Sequence, residues 1–117
     1  MANPNIVTIT SALGKSDVLN VTTVPTAITT CPTDKLYKIN SVIAANIDGT
    51  NAADITVEIL RAGNSFYVAR TISVPADSTL VVVSKDMGLY LNEGDAIRVT
   101  ASANGDLQAI CSYEEIA

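Results

Sequence analysis

The sequence has no histidine, and this absence excludes several classes of enzyme. Histidine is the commonest general base and the commonest zinc ligand, and Ser-His-Asp and Cys-His sites depend on it. The acidic residues fall mainly in or beside predicted turns, where Asp side chains accept hydrogen bonds from nearby backbone amides. We therefore predict no catalytic residue, no cofactor and no enzymatic activity.

Aromatic residues and charges are also scarce. Tryptophan is absent, Phe66 is the only phenylalanine, and only four tyrosines accompany it. Carbohydrate-binding modules usually present exposed aromatic rings to a sugar, and we expect Tyr37 and Tyr113 to face inward, so such a module stays an alternative. Charged residues form 16% of the chain, against about 25% in a typical soluble domain. A surface with few charges can contact a partner at a small desolvation cost, which favours assembly.

The few cationic residues are scattered singly along a chain of net charge −5. Phosphate neutralisation requires clustered Lys or Arg, so we predict no nucleic-acid binding. The longest apolar run, residues 80–83, is far shorter than the roughly 20 residues that span a bilayer, so we predict no membrane partner. The first residues lack the charged and apolar regions of a signal peptide, and we expect the chain to fold in a cytoplasm.

Only two cysteines occur, Cys31 and Cys111. A single disulfide is arithmetically possible, but a reducing compartment disfavours it. Free cysteine is commonly interior and behaves there as a small apolar residue. We predict that both are buried and unpaired, and the alternative of a disulfide stays open.

The abundant residues are valine, isoleucine, threonine and alanine, a composition typical of strands. Turns containing Pro, Gly and Asn divide residues 17–117 into short segments, and no stretch keeps the apolar spacing of a helix. The predicted fold class is all-β, a single antiparallel β-sandwich of eight to nine strands, jelly-roll or immunoglobulin-like. Residues 1–16 are predicted as an N-terminal arm with a short strand at 6–10. The sandwich strands are predicted at 17–24, 26–30, 36–47, 55–59, 66–74, 80–83, 89–91, 95–103 and 106–116.

Alternation within these strands predicts which side chains face the core. Residues 80–83 are apolar throughout, so we expect that strand to be covered on both faces. Asn104 and Gly105 both tolerate the positive φ that a type I′ turn requires, and they predict a hairpin between 95–103 and 106–116. The predicted inward sets are Tyr37, Ile39, Ile43 and Ile47; Ile55, Val57 and Ile59; Ile97, Val99 and Ala101; and Leu107, Ala109, Cys111 and Tyr113.

One loop offers oxygen ligands of the kind that calcium prefers. Asp48, Thr50, Asn51 and Asp54 lie close together in it, but the run lacks the spaced Asp-x-Asp-x-Asp-Gly order of a dedicated site. We therefore predict no metal site, and calcium binding by the Asp48–Asp54 loop stays an open alternative.

The carboxy-terminal two-thirds resembles small virion structural proteins of tailed bacteriophages, especially those of cyanobacterial and marine phages. The resemblance covers roughly residues 36–116. It is carried by LYKI at 36–39, VIAAN at 42–46, ITVEI at 55–59, VPADSTL at 74–80, LNEGDAIRV at 91–99 and CSYEEI at 111–116. It implies a β-sandwich subunit present in many copies, either a decoration or cement protein on the capsid, often trimeric, or a component of the tail or its fibres.

The resulting expectation is a virion structural protein that binds copies of itself and the major capsid protein or other virion proteins. A capsid decoration or cement protein is the leading interpretation, assembled into the virion in a host bacterial cytoplasm. A tail, collar or fibre component is the second interpretation, and a carbohydrate-binding module is the alternative of another class.

Overall fold

The computed structural model describes residues 4–117; residues 1–3, the start of the predicted arm, lie outside the described residues. Within residues 4–117 the chain forms nine strands and one short 3-10 helix, Lys85–Met87. The strands are β1 (Ala12–Asn20), β2 (Thr26–Thr30), β3 (Leu36–Asn46), β4 (Ala53–Arg61), β5 (Asn64–Val74), β6 (Thr79–Val83), β7 (Leu89–Leu91), β8 (Ala96–Ala101) and β9 (Leu107–Ile116).

Two antiparallel sheets pack face to face. Sheet A has the order β1-β9-β3-β6, with β7 also paired to β3, and sheet B has the order β2-β8-β4-β5. Within the described part of the chain, all seven pairings between strands are antiparallel. This alternation of the chain between a five-stranded and a four-stranded layer is the connectivity of a jelly roll. The predicted all-β sandwich is confirmed. Of the two topologies that the sequence allows, jelly-roll and immunoglobulin-like, the structure has the jelly roll.

The core lies between the sheets and consists mainly of valine, isoleucine and small side chains. In β8 and β9 buried and less buried residues alternate strictly along most of each strand, because successive side chains of a strand point to opposite faces. The predicted inward sets of these two strands are confirmed, and Tyr37 is buried as well. Cys31 and Cys111 are both free and buried, which confirms the prediction for the thiols.

The prediction of a hairpin at Asn104-Gly105 is wrong. β8 belongs to sheet B and β9 to sheet A, so the two strands lie on opposite sides of the core. Gly105 has φ 83° but Asn104 is not in the left-handed region, and a type I′ turn requires both. The Asn104 side chain instead accepts a hydrogen bond from the Thr23 backbone N–H at 2.9 Å, which ties the crossover to the β1–β2 loop.

The tight hairpin of this fold is at Ala62-Gly63, between β4 and β5. Arg61 pairs directly with Asn64, and the two residues between them have φ values of 53° and 79°. Positive φ at both central positions defines a type I′ turn, whose twist matches that of the flanking strands. Glycine suits the second position because it adopts a positive φ without strain.

A bulge in β3 corrects the inward set predicted for that strand. Ile39 pairs with Tyr113 and Ser41 with Ser112, so Asn40 is an extra residue. Because the period of a strand is two, one extra residue transfers all later side chains to the opposite face. Val42, Ala44 and Asn46 are therefore buried, whereas the predicted Ile43 and Ile47 face outward.

Strand β6 also differs from its prediction. It lies at the edge of sheet A, and its Val81 is 58% exposed, so the strand is not covered on both faces. Val83 packs in the core, and a second irregularity separates the pairs Val42–Val83 and Ile43–Val81. An apolar run alone does not distinguish a central strand from an edge strand whose outer face is exposed and apolar.

The chain enters the sandwich earlier than predicted. β1 begins at Ala12 rather than Asp17, and residues 6–10 form turns and bends instead of a strand. The backbone N–H groups of Thr10 and Ser11 both donate to the Ala117 carbonyl, at 2.8 and 3.2 Å. The arm described by the structure is thus residues 4–11, and its last residues are fixed to the C-terminus.

Candidate interaction surfaces

The outer face of sheet A carries a continuous apolar row across four strands. Val18 pairs with Ile110, Ile110 with Ile43, and Ile43 with Val81, so the four side chains are neighbours across β1, β9, β3 and β6. Val18 is 73% exposed. A shallow depression of about 340 Å³ lies along this row and includes Ala45.

Polar but uncharged residues flank the row on both sides. On one side the Ser16 and Ser112 hydroxyls are 3.1 Å apart, and on the other the Gln108 amide donates to the Asn20 side-chain oxygen at 3.0 Å. We call this surface the charge-free face, since it contains no ionisable side chain. Its residues are Ser16, Val18, Asn20, Ser41, Ile43, Ala45, Thr79, Val81, Gln108, Ile110 and Ser112.

The outer face of sheet B is different and contains a polar groove of about 250 Å³. Its floor includes Glu58 of β4 and Arg98 of β8, which are cross-strand neighbours. Glu58 is buried, and its Oε1 accepts from Arg98 Nε at 2.5 Å; Arg98 also donates to Ser65 Oγ at 3.0 Å. The buried carboxylate is thereby neutralised, as burial of a charge requires. We call this site the sheet-B groove; its lining is Pro25, Thr56, Glu58, Tyr67, Arg70, Thr71, Arg98 and Thr100.

Bulges in β5 shape one wall of the sheet-B groove. Between the pairs Ile55–Ile72 and Val57–Ala69, β5 contains one more residue than β4. A second extra residue of β5 lies between the pairs Val57–Ala69 and Glu58–Tyr67. Thr71 has φ 49°, which is a rare conformation for a β-branched residue, and its N–H donates to Thr56 Oγ1 at 3.0 Å. Arg70 lies over the Tyr67 ring, 4.9 Å from the centroid.

A buried carboxylate at one end of sheet B has a structural role. Both oxygens of Asp95 accept from Arg61, with Arg61 Nη2 at 2.6 Å from Oδ2, and the Asn92 N–H donates to the same oxygen. Such a two-point pair fixes both orientation and distance. It joins the end of β4 to the turn before β8, where Asp95 N–H donates to the Asn92 carbonyl.

In the loop considered for calcium, the Asp48 carboxylate is used by the loop itself. Its Oδ1 accepts from the Thr50 and Asn51 N–H groups at 2.8 and 3.2 Å, and these bonds lower its pKa. Desolvation and the neighbouring Asp48 raise the pKa of Asp106. The Asp54 N–H bonds to Ser102 on the adjacent crossover. In the part of the chain that the structure describes, no three Cys, Asp or Glu side chains converge as a metal site would require.

The two thiols are poor nucleophiles in this setting. Burial raises the pKa of both Cys31 and Cys111 to about 11, so both are protonated at neutral pH. The thiolate is the reactive form of cysteine. The Cys31 thiol lies 3.2 Å from the Lys35 carbonyl, which accepts its weak hydrogen bond.

Sequence reasoning missed both surfaces. The outward side chains of the apolar row alternate with inward ones in residues 16–20, 41–45 and 108–112. Their position next to each other could be predicted only from the strand order and the β3 bulge, which the sequence does not indicate. Arg70 and Tyr67 meet because β5 is bulged, and no local pattern in the sequence indicates those bulges.

The fold and these surfaces define the class of the protein, a jelly-roll sandwich with one charge-free face and one polar groove. No protein-family model matches the chain, and no curated protein matches it significantly. No helix within residues 4–117 has the length and apolar character needed to cross a membrane.

Proposed function

We propose that this protein is a structural protein of a bacteriophage particle, a capsid decoration or cement subunit that acts by binding and catalyses no reaction. It binds copies of itself, as a trimer, and binds the shell of the particle. The observation that carries this proposal is the charge-free face, to which we assign the contact between copies. A tail, collar or fibre component is the second candidate, because the same face would serve an oligomer at that location.

The charge-free face suits contact between identical chains for an electrostatic reason. Every copy has a net charge of −5, so the overall electrostatic interaction between two copies is repulsive. A surface without ionisable groups can be buried without placing like charges together. Its polar groups also bond to each other across strands, as the Ser16–Ser112 and Asn20–Gln108 pairs do, which reduces the cost of removing water.

In this proposal the charge-free face forms the centre of a larger interface, because the face is smaller than a standard interface. Four strands about 4.8 Å apart and three rows of outward residues give about 400 Å² of flat area. A standard interface buries about 800 Å² per partner. The remaining contact area needs a second contributor, and the arm, residues 4–11, is suited to it because Val7 is 86% exposed.

The test of self-association is sedimentation velocity of the purified chain and of Val18→Glu. Val18 is on the edge strand β1 and largely exposed, so a carboxylate there leaves the fold intact but introduces like charges into the interface. The matched control is Val24→Glu, the same substitution at a 65% exposed valine in the β1–β2 loop. We expect a trimer for the wild type and for Val24→Glu, and monomer for Val18→Glu.

A monomeric wild type at tens of micromolar, or a trimer that is insensitive to Val18→Glu, would contradict the assignment of the face. The arm is tested separately by deleting residues 2–9, which ends before β1. That deletion should weaken the trimer while the monomer keeps its thermal midpoint.

The location of the protein in the particle is tested by immunolabelling: phage particles from the host that produces this chain are labelled with an antibody against the chain. Label distributed over the shell, with hundreds of copies per particle, is the expected result. Label confined to the tail, with a dozen or fewer copies, would replace the decoration role by the second candidate. Particles without label would refute a virion role altogether.

A further inference from the structure

We propose that the sheet-B groove binds a carboxylated saccharide, one sugar unit of an acidic polysaccharide or glycan. This site is on the opposite sheet from the charge-free face, so the inference is independent of the proposed function.

The charges of the groove favour an anion with a single charge. Glu58 and Arg98 neutralise each other in the floor, and Arg70 adds one positive charge. Among the described residues, Arg70 has no carboxylate at ion-pair distance, and its one specific partner is the Tyr67 ring. On a chain of net charge −5, this is a local positive site. A guanidinium recognises a carboxylate through two parallel hydrogen bonds.

The rest of the lining favours a polyhydroxylated ligand. Three threonines, Thr56, Thr71 and Thr100, line the groove together with the half-exposed Tyr67, so four hydroxyl-bearing side chains surround it. Hydroxyl groups both donate and accept, which matches the hydroxyls of a sugar. A phosphate ester carries about −1.5 to −2 charges at neutral pH, more than the one positive charge here balances.

The groove is formed before a ligand arrives. Arg98 is fixed at two points, by Glu58 and Ser65, and the Arg70 guanidinium lies over the Tyr67 ring. Thr71 is held in its unusual backbone conformation by the hydrogen bond to Thr56. A rare backbone conformation persists only where the surroundings enforce it, and such positions concentrate at binding sites. The volume of about 250 Å³ is below the usual range for drug-sized ligands, which fits one sugar unit.

The test is a titration of the ¹⁵N-labelled protein, followed by NMR, with D-glucuronate, D-glucose, acetate and inorganic phosphate. We expect glucuronate to give saturable shifts of the Thr71 and Thr100 amides and of Arg70 Nε. Glucose supplies only the hydroxyl groups and acetate only the carboxylate, so each should bind at least tenfold more weakly than glucuronate. Phosphate should also bind more weakly than glucuronate.

Two variants complete the experiment. Arg70→Gln should weaken glucuronate binding at least tenfold, since a hydrogen-bonded charge is removed. Lys85→Gln, an exposed cation on the short 3-10 helix outside the groove, should leave it unchanged. Superposable spectra away from the groove verify that Arg70→Gln is folded.

Several results would overturn the proposal: no response to glucuronate, equal responses to glucose, to acetate or to phosphate, or binding that survives Arg70→Gln. Val18→Glu should bind glucuronate like the wild type, so a failure of self-association and a failure of the groove are distinguishable.

Discussion

The rings of Tyr37 and Tyr113 stack in the core, with centroids 4.5 Å apart and planes inclined by 25°. They join β3 to β9 at the end of sheet A where Glu115 also lies. Tyr37 donates its phenolic hydrogen to Glu115 Oε2 at 3.0 Å, and Lys15 of β1 contacts the same oxygen at 3.0 Å. Three adjacent strands therefore meet at one carboxylate.

Removal of the phenolic oxygen tests this arrangement. Tyr37→Phe keeps the stacked rings but removes the hydrogen bond to Glu115, so we expect the free energy of unfolding to fall by about 1 kcal/mol. Tyr90→Phe is the control, because Tyr90 is exposed on β7. Urea denaturation measures both, and equal stabilities of the two variants would be inconsistent with a stabilising role for the phenol.

Glu115 should make stability depend on pH in the acidic range. The Lys15 ammonium group, followed by the Tyr37 hydroxyl, holds its pKa below the usual value. A lowered carboxyl pKa stabilises the fold above the unfolded-state pKa of about 4.3, and the contribution is lost as pH falls through the folded-state pKa. Glu115→Gln should therefore be less stable than the wild type at pH 7. The difference should shrink towards pH 3, as unfolding in urea at each pH would show; a difference that grows on acidification has the wrong sign.

Asp106 should behave in the opposite way. Its pKa is raised by desolvation and by the adjacent Asp48, so its ionised form is disfavoured in the folded chain. A raised carboxyl pKa costs stability above the folded-state pKa, and the cost disappears on acidification. Asp106→Asn should raise the midpoint of thermal unfolding at pH 7 but not near pH 3. Asp86→Asn, at an exposed acid of the short 3-10 helix, serves as the control and should shift the midpoint little.

The type I′ turn predicts a stabilising substitution. Ala62 has φ 53°, a conformation that asparagine adopts more readily than alanine. Ala62→Asn creates the preferred Asn-Gly pair and should raise the free energy of unfolding by about 0.5–1 kcal/mol. Gly63→Ala should lower it, since alanine is strained at φ 79°. Chemical denaturation measures the free energy of unfolding of both variants. A lower stability of Ala62→Asn than of the wild type would argue against a type I′ turn at Ala62-Gly63.

The pair of Arg61 with buried Asp95 should be costly to break. Arg61→Met leaves the Asp95 carboxylate, which is 3% exposed, without its guanidinium donor, while the bond from the Asn92 N–H stays. Because Arg61 itself is half exposed and water can replace it in part, we expect a loss of about 2 kcal/mol. Arg70→Met removes a guanidinium without a carboxylate partner and should cost under 1 kcal/mol by the same assay. Equal losses of unfolding free energy in Arg61→Met and Arg70→Met would contradict a stabilising role for the Arg61–Asp95 pair.

The sequence predicted those features that depend on local pattern. Alternation in β8 and β9 identified the inward side chains correctly because neither strand is bulged within the predicted set. The same reasoning failed after Asn40, since a bulge depends on the pairing of β3 with β9 and has no local signature. Asn104-Gly105 has stronger turn chemistry than Ala62-Gly63, yet the tertiary arrangement uses the first as a crossover and the second as the hairpin.

The two irregularities in β5 make this edge of sheet B a poor template for pairing with another chain. β5 is an outer strand of sheet B, and a regular outer strand invites another chain to extend the sheet without limit. The added residues interrupt the even spacing of backbone donors and acceptors that an incoming strand would need. Extension of sheet B by pairing of another chain with β5 is therefore disfavoured.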